Sequence, residues 1–272
     1  MPKIRVDDSL ELVYKVDDFT DPWKSADTIM LVHGGLKPKD LYYAWVPTLA
    51  RHLRVIRPYM RGHWGSSPAP EGYRWSVEGL VSDLKNFMDA LGLEQVHYVG
   101  ESLGGTIGYN FAYRYPERLK TLTIANSPGP TLKGHRMSVL LDSLKKVGVA
   151  RTIDFLFNTH SEETTGTPGM DAWYIREAKK NPLAASLGYL GAAADLDLDL
   201  ESFLKGIRVP TLLLTGSEYS SLLTVEEAQH FRVLIPRAKL VVIPGVKFIA
   251  VVSAPEKCAG EVLRFIAEQP GN

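Results

Sequence analysis

A serine flanked by glycines, Gly100-Glu101-Ser102-Leu103-Gly104, stands where an apolar run at 96–99 passes into a helical pattern at 103–113. The spacing G-x-S-x-G at a strand-to-helix junction presents a hydroxyl at the tip of a sharp turn, the posture of a nucleophile. Glycines are needed there because the serine conformation is strained and neighbouring backbone packs close. A seryl hydroxyl attacks only when another group takes its proton. Seven histidines offer themselves. His33, in the turn His33-Gly34-Gly35, and His97, inside an apolar strand run, read as packed side chains. His52 near a helix end and His230 on a surface helix read as structural. His63, in the loop at 59–66, is the one that could approach the serine, while His135 and His160, in a later helical stretch, could line the pocket. No His, Cys, Asp and Glu residues fall at metal-ligand spacing, and no G-x-G-x-x-G or phosphate loop is present. The expectation is therefore an enzyme without metal or cofactor.

The elements that must position this serine are legible in the periodicity. Residues 3–16 alternate about Asp7-Asp8-Ser9 as an antiparallel hairpin. Short apolar strands at 28–32, 55–58, 96–99, 122–125, 211–215 and 240–243 alternate with helices. Helical character is read at 40–52. Ser76 caps a helix whose apolar residues Val77, Leu80, Val81, Leu84, Phe87 and Met88 keep the 3.6 period, with Gly92 as its stop. Thr224-x-x-Glu227 is a capping box, and Pro255 opens a last helix to Ala267. Apolar strands of four or five residues alternating with amphipathic helices predict an α/β fold, a parallel sheet covered on both faces. Residues 131–205 break the rhythm, lack strand-like runs and predict an inserted helical cap, so the expected organisation is a core of 1–130 and 206–272 with a lid of 131–205.

At this point the chain resembles the α/β-hydrolase superfamily over nearly its whole length. His33-Gly34-Gly35 is similar to the family's oxyanion loop. Arg61-Gly62-His63 with Gly65-Ser66 resembles the R-G-x-G-x-S loop, and Ser102 matches the nucleophile elbow. Val209-Pro210 through Gly216 resembles the strand before the family's acid, and Ile243-Pro244-Gly245 the approach to its histidine. The resemblance implies an α/β-hydrolase fold with an oxyanion hole from the backbone N–H groups of Leu103 and of Gly35, the latter in preference to Leu36. Two donors aimed at a developing oxyanion are worth about 3–4 kcal/mol each.

The same resemblance shows where the pattern fails. Family order is Ser, then Asp or Glu, then His. The acid position holds Tyr219 and the histidine position Lys247, while Tyr59 and Trp64 replace an Asp and a Gly of the D-x-R-G-x-G-x-S loop. All four changes fall at the C-terminal edge of the sheet, where such folds bind ligands. Lys247 is either a loop lysine pointing to solvent or a functional group with one of three roles. As a neutral amine it would be the general base for Ser102. Bringing a lysine from about 10.4 to about 7 costs roughly 4.6 kcal/mol, which an apolar pocket of Val246, Phe248, Ile249 and Trp64 would have to supply. Paired with Glu218 it would be a fixed cation for a substrate carboxylate or enolate. Facing Tyr219 it would be an amine nucleophile able to form a Schiff base. Tyr59, Trp64 and Tyr219, with Leu36 and Phe248 and perimeter residues Tyr42 and Trp45, predict an aromatic-lined cavity for a flat hydrophobic ligand.

Lys+Arg and Asp+Glu are balanced at 31 each, which gives no electrostatic reason to expect nucleic acid or an anionic membrane as partner. The N-terminal stretch has no signal-type apolar core, and no window reaches about 18 uninterrupted apolar residues. Cys258, the single cysteine, reads as a buried structural thiol. The expectation is a cytoplasmic protein acting on a small hydrophobic or aromatic substrate. Its reaction would be on an ester, thioester or lactone, or a non-hydrolytic cyclisation, elimination or C–C step. The alternatives are a ligand-binding, receptor-like relative and an inactivated triad.

Overall fold

The computed structural model describes residues 1–132, 135–159, 165–218, 223–247 and 249–270. The chain begins with the antiparallel pair β1 (Lys3–Arg5) and β2 (Glu11–Asp17), followed by β3 (Thr28–Val32), a short α1 (Val46–Leu49) and β4 (Arg54–Pro58). Then come α2 (Val77–Ala90), β5 (Val96–Glu101), α3 (Leu103–Arg114) and β6 (Leu119–Ala125). Four helices follow without an intervening strand among the described residues: α4 (His135–Thr159), α5 (Pro168–Ala178), α6 (Leu183–Ala194) and α7 (Leu200–Gly206). β7 (Thr211–Gly216), α8 (Val225–Leu234), β8 (Ala238–Ile243), α9 (Ala250–Ser253) and α10 (Pro255–Ala267) complete it.

The eight strands form one sheet in the order β1-β2-β4-β3-β5-β6-β7-β8, antiparallel at β1, β2 and β4 and parallel from β4 onward. β3, β5 and β7 are buried at every position, which is why they read as continuous apolar runs instead of alternating ones. Helices cover both faces, and the core is one continuous cluster running from Leu10 to Ile266. Ser76 Oγ accepts the Gly79 N–H at 3.0 Å to open α2, and the reciprocal Thr224–Glu227 box opens α8.

Two segments differ from the periodic reading. The helical character at 40–52 condenses to α1, preceded by turns, because side chains tie that stretch to distant backbone. Tyr42 Oη donates to Val32 O at 3.1 Å and Trp45 Nε1 to Val251 O at 2.8 Å. The helix at 137–149 extends to Thr159 but breaks at Gly148, whose φ of 76° lies in the left-handed region that glycine accepts without Cβ strain.

Candidate active site

Strand register sets the site. Val32 pairs with Gly100, so the His33-Gly34-Gly35 turn leaves the sheet directly beside Glu101 and Ser102. Ser102 is the hinge of the elbow. Its φ is 51° and ψ −118°, its N–H bonds Ala125 O at 3.1 Å, and its carbonyl accepts the Gly105 and Thr106 amides at the start of α3. The turn is this tight because Gly100 and Gly104 are pressed together. A Cβ on Gly100 would meet Gly104 O at 2.2 Å, and one on Gly104 would meet Val32 O at 2.3 Å.

Among the described residues, four non-glycine side chains have positive φ: Leu36 (56°), Trp64 (43°), Ser102 (51°) and Asn126 (43°). They fall in the loops that leave β3, β4, β5 and β6, one each. Such conformations cost on the order of 1–3 kcal/mol apiece and cluster where surrounding structure enforces a functional geometry. Among the described residues these four lie at one edge of the sheet, in the loops after β3, β4, β5 and β6.

The His33-Gly34-Gly35 turn is tight against the elbow. The point a Cβ on Gly34 would occupy is 2.9 Å from Ser102 Cβ and 2.5 Å from Glu101 Oε2. The corresponding point on Gly35 is 2.8 Å from Leu190 Cδ2 of α6 and 3.6 Å from Leu103 Cδ2. Leu36 is buried beside them, and Ser102 itself is only 7% exposed. Gly34 is thus packed against Ser102, and Gly35 against the Leu103 side chain.

His33 and His63 are buried and engaged with backbone. His33 donates from Nδ1 to Gly34 O at 2.9 Å, because its Nε2 accepts the Met60 N–H at 3.1 Å, which fixes the tautomer. Burial, assisted by the charge of neighbouring His63, pushes His33 down to about 3. His63 Nδ1 bonds Arg61 O at 3.1 Å, and burial pushes it down to about 4. Both rings are neutral at physiological pH and packed with Trp64 and Tyr189 at centroid distances of 4.8–5.7 Å. Tyr59 is buried edge-on to Trp64 at 5.2 Å, and burial together with the charge of Asp40 drives its hydroxyl well above the usual range. His97 is also buried, bonded to Thr121 Oγ1 at 3.0 Å, in the half of β5 away from the elbow. His135 opens α4.

The loops after β7 and β8 run side by side. Ser217 N–H bonds Ile243 O and Glu218 N–H bonds Val246 O, each at 3.0 Å. The Glu218 side chain is exposed and accepts from Ser217 Oγ at 3.1 Å, while Lys247 is half-buried. The Lys247 carbonyl lies 2.7 Å from the point a Cβ on Gly216 would occupy, so its backbone crosses the end of β7. With strands about 4.8 Å apart, that is about 10 Å across the sheet from β5. The chain continues toward the segment after β3, where Val251 accepts the Trp45 indole. Tyr219, Phe248 and His160 lie outside the described residues.

The sequence reading missed a charged pair beneath the elbow. Lys37 Nζ lies 3.0 Å from Glu101 Oε1 with both side chains essentially buried. The available signals were a carboxylate ending an otherwise apolar strand and a lysine directly after His33-Gly34-Gly35-Leu36. The loop after β4 is clamped by another pair, Arg61 to Asp83 through Nε–Oδ2 at 3.0 Å and Nη2–Oδ1 at 2.8 Å. An open crevice lined by Lys120, Arg208, Arg237 and Gln95 lies at the N-terminal ends of β6, β7 and β8, the opposite edge from Ser102. Among the described residues no group of three or more His, Cys, Asp or Glu side chains could hold a metal ion, and no helix is long and apolar enough to cross a membrane.

Comparison with known proteins agrees with this architecture. The chain is 36% identical over 108 residues to 2-hydroxy-6-oxo-2,4-heptadienoate hydrolase of Pseudomonas putida F1, a match spanning 39% of each chain. It is 25% identical over 248 residues to 2-hydroxy-6-oxo-6-(2'-aminophenyl)hexa-2,4-dienoic acid hydrolase of Metapseudomonas resinovorans, covering 89% of this chain and 84% of that one. The enol-lactonase of Burkholderia xenovorans LB400 superposes with a TM-score of 0.84 at 21% identity, covering 98% of this chain and 100% of that one. The sequence profile described as alpha/beta hydrolase fold matches residues 27–255. With an eight-stranded sheet, a strained seryl elbow and that profile across most of its length, this chain belongs to the α/β-hydrolase family.

Proposed function

We propose that this protein is an enzyme with an atypical α/β-hydrolase site. Ser102 and the backbone N–H groups of Gly35 and Leu103 act on the carbonyl of a small hydrophobic or aromatic substrate, and Lys247 stands where the family has histidine. The substrate class is an ester, thioester or lactone, or an enolisable ketone whose C–C bond is made, broken or rearranged. The single observation that carries this reading is that the four non-glycine residues of positive φ among the described residues all lie in the loops at the Ser102 edge of the sheet, since strain is retained where a reacting geometry needs it. The names of the relatives, hydrolases of unsaturated oxo acids, are consistent with carbonyl chemistry. The neutral, packed states of His33 and His63 support a base other than histidine. Lys247 as base takes the Ser102 proton while the oxyanion hole carries the developing charge. Lys247 as a cation paired with Glu218 instead orients a substrate carboxylate or enolate.

Turnover of p-nitrophenyl butyrate tests it. The wild type is expected to be slow, and Ser102→Ala slower by about 10²-fold or more. Lys247→His with Tyr219→Asp rebuilds the family triad and is expected to raise esterase activity. Absence of any gain would refute the positional assignment. Borohydride trapping with a carbonyl compound, read by mass spectrometry at Lys247, separates the Schiff-base role from the others.

A second reading, a ligand-binding relative without turnover, is favoured by the closure of Leu190 over Gly35 and the low exposure of Ser102. It predicts saturable binding of a hydrophobic carbonyl compound with no phosphonylation of Ser102 by a fluorophosphonate.

A further inference from the structure

Lys37 adjoins the Gly34–Leu36 turn, the elbow and the turn between α5 and α6 at once. It follows Gly35 by two residues, and its ammonium makes the ion pair with Glu101, the residue before Ser102. Its carbonyl accepts the Asn181 Nδ2–H at 2.8 Å, and Asn181 also donates to Ala178 O at 2.8 Å, which pins the turn between α5 and α6. Its Nζ stands 6.0 Å from the ring centroid of Tyr174 on α5. On the other side, Glu101 Oε2 and Ser102 Cβ flank the same point above Gly34, so they are closer together than the sum of their distances to it, 2.5 Å and 2.9 Å. Tyr189 of α6 adds a parallel tie by donating to His33 O at 3.0 Å.

A buried ion pair is a poor source of net stability, because desolvating two charges offsets most of their attraction and a well-packed apolar pair would do as well. What the pair supplies is direction. An ammonium within hydrogen-bonding reach of a carboxylate fixes the spacing of the two backbones that carry them, here the loop bearing the Gly35 N–H and the elbow bearing the Leu103 N–H.

We propose that Asn181, Lys37 and Glu101 form a relay that couples the seating of α5 and α6 to the spacing of the two oxyanion donors. They are positioning residues: none needs to touch substrate, and each acts through the Gly34–Leu36 backbone. The proposal rests on the reading of Ser102 and its oxyanion hole given above.

The test uses Asn181→Ala, Lys37→Met, Glu101→Gln and the double variant Lys37→Met/Glu101→Gln in the full chain. Two readouts are needed: steady-state hydrolysis of p-nitrophenyl butyrate and amide hydrogen exchange of residues 33–37. Each single variant is expected to lower kcat by about ten- to a hundredfold, as small misplacements of reacting groups do. KM should move by less than about threefold, the signature of an interaction felt in the transition state. The double variant should lose no more than the worse single variant, since both act on one contact. Exchange at residues 34–36 should quicken in all four. If Lys37→Met or Glu101→Gln leaves a lone buried charge and fails to fold, the double variant, which leaves none, and Asn181→Ala decide the matter.

Unchanged kcat and exchange in an active protein overturn the relay and leave the Ser102 reading standing. Losses confined to KM, or additive losses in the double variant, also overturn it. An inert wild type in which the variants still quicken exchange at 34–36 leaves the relay standing and overturns the reading of Ser102 as nucleophile.

Discussion

Gly34→Ala is the smallest change that tests how tightly the oxyanion loop is set against the nucleophile. Gly34 is not among the residues of left-handed φ, so the added methyl costs nothing in backbone conformation and its whole effect is contact. That methyl would sit 2.5 Å from Glu101 Oε2, 2.9 Å from Glu101 O and 2.9 Å from Ser102 Cβ. The carboxylate oxygen can swing, although doing so strains its pair with Lys37. The carbonyl and the seryl Cβ belong to the elbow and cannot. Non-bonded contacts are comfortable near 3.5–4.0 Å, so the loop must retreat by roughly 0.6–1 Å. Overpacking of that size costs about 1–3 kcal/mol. In a chain of this length each kcal/mol is worth about 2–4 °C in melting temperature, so a drop of roughly 2–12 °C is expected by circular dichroism. A displacement of about 1 Å at a reacting centre costs about 10²-fold in rate, which labelling of Ser102 by a fluorophosphonate would show. A variant with wild-type melting temperature and wild-type labelling would refute the close approach of loop and elbow.

Acid should destabilise the protein through its buried imidazoles. In the unfolded chain a histidine takes up a proton near pH 6.5, whereas native His63 and His33 resist until about 4 and about 3. Their stabilisation is therefore complete above about pH 6.5 and is lost as pH falls below it, by up to about 1.4 kcal/mol per pH unit for each ring. His63→Phe should flatten the denaturant-derived stability between pH 6 and pH 5 by about one such step; an unchanged slope would show that His63 titrates normally in the native state. Gly260→Ala lies within α10, where an added methyl meets nothing within 4 Å, and should stabilise by up to about 1 kcal/mol from helix propensity alone. A lower melting temperature would contradict the placement of that helix face. Cys258 is buried and its thiol is pushed up to about 12 by burial, with the Glu261 charge second, so it should ignore Ellman's reagent until guanidinium unfolds the chain.

The sequence determined the elements because their causes are local. A strand buried on both faces must be continuously apolar, and a helix against a sheet must repeat every 3.6 residues. Thus β3, β5, β7, α2 and α10 stand in the chain as they stand in the fold. The elbow was equally legible, since Gly100 and Gly104 are there to let two backbones touch. Where side chains reach far along the chain, periodicity misled, and the helical pattern at 40–52 gave way to turns held by Val32 and Val251. The site's electrostatics were not legible at all. Lys37 and Glu101 are 64 residues apart in sequence and meet only because β3 and β5 are neighbours in the sheet. His63 looks like any loop histidine until burial among His33, Trp64 and Tyr189 keeps it neutral down to about pH 4. Unlike that of Asn126, whose type accepts it readily, the left-handed backbone of Leu36 and Trp64 has no signature in residue type, because it is imposed by loops leaving adjacent strands at one crowded edge. Patterns follow from neighbours along the chain, whereas charge states and strain follow from neighbours in space, and those are set only by the strand order.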